Sequence, residues 1–151
     1  MKTLLEALNK HEVIKDLFSK VTNPASLSLS GTLFIEYPHP NVVVNQGNKL
    51  SPKLTQEAPK VVYLANNDSP LNLDKCYTLV MTDPDAPSRV DHKWSEYCHF
   101  VQTGIKFHEP TGGLITNGHK VVKYMGPGPP AGTGEHRYVF LLFEEIEDNH
   151  I

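Results

Sequence analysis

A chain of 151 residues, 39% hydrophobic and 21% charged, is long enough for one domain with a real core and has the composition of a soluble globular fold. The formal net charge of -3, with no clustered basic stretch, excludes a general affinity for nucleic acid. No apolar run approaches a membrane span, and Lys10, Glu12, Lys15 and Asp16 interrupt the apolar N-terminal residues, which excludes a signal-peptide core. Without a secretion signal, Cys76 and Cys98 are expected as free thiols and the cytoplasm is the default compartment.

From the N-terminus, Leu4, Leu5 and Leu8 form one helical stripe and Ile14, Leu17 and Phe18 a second, with a break expected near Asn9 and His11. Asn23-Pro24 closes this helical segment, taken as residues 1–22. The period then changes to two: Leu27, Leu29, Leu33, Ile35 and Tyr37 alternate with Ser28, Ser30, Thr32, Phe34 and Glu36, with Gly31 as a bulge or close-packing point. Further strands are expected at Val42–Val44, Val61–Leu64, Tyr77–Thr82, Tyr97–Thr103, Val121–Tyr124 and Arg137–Phe143. Many short strands between Gly/Pro turns, without alternating helices, predict a mainly β fold of two antiparallel sheets as one domain over residues 1–151.

Three segments carry chemistry. Asp83-Pro84-Asp85-Ala86-Pro87 places two carboxylates two residues apart, on one side of a turn stiffened by two prolines. Either they cap turns by accepting backbone N–H bonds, or they serve a site. Gly126-Pro127-Gly128-Pro129-Pro130 continues to Gly134 as a rigid loop, able to expose backbone N–H groups as an anion nest or to act only as a stiff connection. It lacks the lysine and following helix of a nucleotide-binding phosphate loop. His136-Arg137-Tyr138 sets an imidazole and a phenol on one face, leaving Arg137 directed away from them toward a structural carboxylate. His99, in another strand, gains interest from this second histidine. Two aspartates, two histidines and a tyrosine lack metal-ligand spacing, and neither a G-x-S-x-G serine nor a Cys98–His99 dyad within one strand offers a nucleophile.

Asp83 to Arg89, the Lys93-Trp94-Ser95-Glu96 turn leading to His99-Phe100, and Gly126 to Tyr138 together resemble the signature segments of the phosphatidylethanolamine-binding protein (Raf kinase inhibitor) family, over about Tyr77 to Phe143. The wording Met81-Thr82-Asp83-Pro84-Asp85-Ala86-Pro87-Ser88-Arg89 and the helical N-terminus are most similar to its fungal carboxypeptidase Y inhibitor branch. The resemblance implies a sandwich-like fold with a small pocket at one end, walled by Asp83, Asp85, Pro87, His99, Gly128, Pro129, His136 and Tyr138. The histidines, tyrosine and backbone N–H groups would hold a phosphate-bearing head group such as phosphatidylethanolamine, while the aspartates orient the histidines or meet an ammonium group.

Family members usually continue past the His-Arg-Tyr strand with a helix and a last strand, which are expected to be missing after Ile151, leaving a more open pocket. The function this implies is a non-enzymatic binding protein with no cofactor, no metal and no catalytic residues, inhibiting a serine carboxypeptidase through Met1 to Leu5. The alternatives are a signalling kinase or Ras-pathway modulator acting through the pocket rim and, from another class, an Asp/His hydrolase. Any contact with membrane or vacuole would be peripheral, since no integral segment is present.

Overall fold

A computed structural model describes residues 4–18, 29–38, 41–86, 88, 97–129, 132 and 134–146. Two short helices, α1 (Leu4–Lys10) and α2 (Val13–Leu17), open the chain. The break expected near Asn9 and His11 falls at His11-Glu12, where Glu12 takes φ 59, the left-handed region. Each helix is too short to persist alone, so both depend on tertiary contacts, made partly by Ala7, Val13 and Ile14.

Among the described residues eight strands follow: β1 (Gly31–Tyr37), β2 (Val42–Val43), β3 (Lys60–Ala65), β4 (Tyr77–Asp83), β5 (Tyr97–Ile105), β6 (Gly112–Leu114), β7 (His119–Val122) and β8 (Val139–Glu144). They build two antiparallel four-stranded sheets, β2-β1-β3-β6 and β7-β5-β4-β8. The period-two alternation of β1 is realised: Ile35 and Tyr37 are buried while Phe34 is half exposed. Gly31 is a close-packing point, since a Cβ there would collide with the Tyr63 ring and the Leu64 carbonyl. The expected strands are found with shifted ends, and β6 is an addition. A 3-10 turn at Pro52–Thr55 also appears, with Ser51 accepting the Lys53 N–H.

The core lies between the sheets. Ile35, Tyr37, Val61 and Tyr63 point in from the first; Tyr77, Leu79, Met81, Phe100 and Ile105 point in from the second, joined by Phe107. At the β4 end of this core, the inward row Tyr77, Leu79, Met81 gives way to Asp83, a buried carboxylate at the sandwich end. Its neighbour β5 carries a bulge there: Phe100 pairs with Met81 and Cys98 with Thr82, so His99 is the extra residue. The bulge buries His99 beside Phe100 while Cys98 stays exposed, so alternation breaks at this residue.

Tyr124 links the Gly/Pro loop to the core. Its hydroxyl lies 2.7 Å from the Thr55 carbonyl and 2.9 Å from the Tyr37 hydroxyl. A carbonyl can only accept, so Tyr124 donates to Thr55 and Tyr37 donates to Tyr124. Burial is the chief cause that pushes both phenols above their ordinary range. Unfolded tyrosines release their protons near pH 10, while these hold theirs. Above that pH the native state binds more protons than the unfolded state, so stability is complete below about pH 10 and falls as pH rises further. Thermal melts should show a flat Tm to about pH 10 followed by a decline, and Tyr124→Phe should flatten that decline. An identical slope in the two proteins would remove Tyr124 from the explanation.

Candidate functional site

Two segments meet at the end of the sandwich: the Asp83-Pro84-Asp85 turn leaving β4, and His136-Arg137-Tyr138 entering β8. The His136 Nδ1 atom lies 2.7 Å from Asp83 Oδ2, with both side chains almost fully covered. The other Asp83 oxygen accepts the Asp85 N–H at 2.7 Å. This is the turn-capping role open to an aspartate two residues before the donor. Asp85 Oδ2 in turn accepts the Arg137 main-chain N–H at 2.8 Å. Three hydrogen bonds and the peptide link between His136 and Arg137 therefore close a ring through Asp83 and Asp85.

Arg137 does face away from His136, and the structural carboxylate it meets is Asp85, itself a candidate ligand. Its Nε and Nη2 donate to Asp85 Oδ2 and Oδ1 at 2.8 and 2.6 Å, a two-pronged pairing. Asp85 is completely buried. The hydrogen bond to Asp85 is the main cause raising the Arg137 pKa, against desolvation, so the guanidinium stays charged. Of the two roles expected for the aspartates, orientation of a histidine matches Asp83. Asp85 is turned to Arg137 and Asp83 to His136.

The aromatic members stack in series. His136 and Tyr138 lie near-parallel with ring centroids 6.2 Å apart, and Tyr138 meets the edge of His99 at 5.2 Å. Burial first, then the charges of Asp83 and Asp85, push the Tyr138 phenol up. It therefore remains a neutral O–H donor through the physiological range. His99 Nδ1 lies 2.8 Å from the Met125 carbonyl, which can only accept, so this nitrogen carries the proton and Nε2 is the ring atom left to face a ligand. For His136, with Nδ1 committed to Asp83, any further ring bond runs through Nε2.

The Gly/Pro loop is anchored to this cluster. The Met125 N–H donates to the His99 carbonyl at 2.9 Å, and the Gln56 amide donates to the Pro127 carbonyl at 2.6 Å. Gly128 is exposed, with open space where a Cβ would lie, and Pro129 is half-buried. Pro87 lies outside the described residues, as do Arg89, Trp94 and the first three residues of the proposed inhibitory N-terminus. Asp83, His99, His136 and Tyr138 are thus brought together, with Asp85 behind them and Gly128 and Pro129 on the adjoining loop.

Sequence reasoning missed Tyr97 and Gln56. Tyr97 packs edge-on against His99 at 5.1 Å and is partly exposed, which makes it a rim residue. Its position two residues before His99 was the available signal. Two cavities, of about 170 and 250 Å³, lie elsewhere: one beside Leu79, Phe100 and Tyr124, the other beside Tyr63, Tyr77 and Glu144. Among the described residues no group of three or more His, Cys, Asp or Glu could hold a metal ion, and no helix is long and apolar enough to cross a membrane.

The family model described as phosphatidylethanolamine-binding protein matches residues 40–150. The chain belongs to the phosphatidylethanolamine-binding protein family. Within it, the chain is 35% identical to the carboxypeptidase Y inhibitor of Saccharomyces cerevisiae, across 93% of this chain and 73% of that relative. An uncharacterised protein of the same yeast is 37% identical, across 94% of this chain and 70% of its own length. The fold matches the crystal structure of carboxypeptidase Y inhibitor complexed with the cognate proteinase with a TM-score of 0.81, at 35% identity, covering 95% of this chain and 72% of that one. A phosphatidylethanolamine-binding protein from Plasmodium vivax matches with a TM-score of 0.73, at 30% identity, covering 93% of this chain and 69% of that one. The family and the two-sheet fold read from the motifs therefore hold.

Proposed function

We propose that the protein is a non-enzymatic regulator that binds a phosphate-bearing head group, phosphatidylethanolamine among them, and inhibits a serine carboxypeptidase. The observation that carries the anion reading is the series Asp83–His136–Tyr138–His99, with its 2.7 Å carboxylate–imidazole pair. It gathers two imidazoles and a neutral phenol at the end of the sandwich, beside a loop whose Gly128 is open to solvent. A phenol O–H, and an imidazole Nε2–H when the ring is protonated, are donors for phosphate oxygens, and the Asp83 carboxylate fixes the orientation of the His136 ring. Pro87 and Pro129 would complete the wall. The protease reading is supported by the likeness to an inhibitor, in sequence and in fold.

Calorimetric titration of the whole chain with phosphoethanolamine, beside ethanolamine, tests the first half. Heat with phosphoethanolamine alone is the expected result; equal heats, or none, would reject a phosphate site. Assaying carboxypeptidase Y against rising protein concentration tests the second half, with loss of peptidase activity expected. Full activity at excess protein, together with head-group binding, would favour the signalling-modulator reading instead.

A further inference from the structure

Arg137 reaches beyond Asp85. Its Nη1 lies 2.7 Å from the Asp16 carboxylate on α2 and donates to the carbonyls of His11 and Glu12 at 3.0 and 3.4 Å. Those two carbonyls lie at the kink between α1 and α2, where Glu12 holds a left-handed conformation that non-glycine residues adopt at a cost. Such a kink persists when its surroundings fix it, and one guanidinium donates to the carbonyls of both of its residues. The same residue stands in the chain between His136 and Tyr138, and its main-chain N–H is held by Asp85. A displacement of Arg137 therefore moves both ring-bearing neighbours.

From these contacts we infer that Arg137 is a positioning residue that couples the α1–α2 segment to the anion cluster, so that filling the cluster and ordering residues 4–18 favour each other. The path is contiguous: Asp16 to Arg137, Arg137 to Asp85, the Asp85 N–H to Asp83, and Asp83 to His136. Coupling between two sites is reciprocal, so a protein partner seated on the helical segment would tighten head-group binding by the same factor that the head group tightens the partner. This coupling rests on the anion reading of the cluster and adds to it an address for its regulation.

The test is calorimetric titration of the whole chain with phosphoethanolamine, wild type beside Asp16→Asn. This substitution removes one charge from a partly exposed position and leaves the Asp85 pairing intact. A weakening of about fivefold is expected. Amide exchange in residues 4–18 should also slow when phosphoethanolamine is added to the wild type and stay unchanged in the variant. Equal affinities, or exchange in the wild type that ignores the ligand, would overturn the coupling while leaving the anion site standing. A wild type that does not bind phosphoethanolamine would overturn both.

Discussion

Arg137→Ala is expected to lower the unfolding free energy by about 3–5 kcal/mol in urea titrations. The reason is the state of what remains. Asp85 is wholly buried, with both carboxylate oxygens turned to the guanidinium, and alanine would leave that charge without its cation. The main-chain bond from residue 137 to Asp85 survives, but a neutral amide does not replace a two-pronged cationic partner. Arg137→Lys should fall between, because a lysine keeps the charge and loses the planar fork. The exposed Lys49–Glu135 pair, 2.8 Å apart, is the control: solvent screens it, and Glu135→Gln should leave the midpoint unchanged. A loss below about 1 kcal/mol for Arg137→Ala would mean that the pair only replaces hydration it has lost.

His136→Ala is expected to weaken phosphoethanolamine binding by about 10- to 100-fold, the range of a lost hydrogen bond to a charged group. The effect is large because His136 is tied to the rest of the cluster in two ways, through its 2.7 Å bond to Asp83 and its stacking on Tyr138. Asp83→Ala should weaken binding as well while leaving the imidazole in place, since the ring then loses the acceptor that orients it. Calorimetry on the three proteins separates these effects, with circular dichroism to show that each is folded. Equal affinity in wild type and His136→Ala would move the anion away from this histidine and leave His99 and the Gly/Pro loop as its binders.

Much of this architecture is legible in the residues. A period-two pattern placed β1 and the Leu4/Leu8 and Ile14/Leu17 stripes placed the helices, because one-sided burial writes its period into a sequence, while β-prone apolar runs between turns placed β3, β4 and β5. Gly112-Gly113-Leu114 carries no such pattern, so β6 was invisible; it forms because β3 offers an edge to pair with. The start of β8 was set two residues early, since the backbone of Arg137 is bonded to Asp85 and not to a sheet neighbour. At the site, the residue types were legible but their partners were not. Spacing alone puts Asp83 and Asp85 on one side of a turn, and it cannot say that one meets a histidine and the other an arginine drawn from more than fifty residues away. The bulge at His99 was hidden for the same reason, because an extra residue in one strand is defined only by its partner strand.

The irregular pairing of β4 with β5 bears on how the chain finds its register. Leu79-Val80-Met81 in β4 and Phe140-Leu141-Leu142-Phe143 in β8 are apolar on both faces, so hydrophobicity alone penalises a slipped alignment weakly. The β4–β5 ladder departs from regular pairing twice, between Tyr77 and Leu79 and between Met81 and Thr82. A strand with an interruption at each end fits its neighbour in one alignment, as a notched key fits one position in its lock. The residue that sets an imidazole beside Tyr138 therefore also helps to index the sheet, and removing it would cost folding fidelity before it cost any ligand.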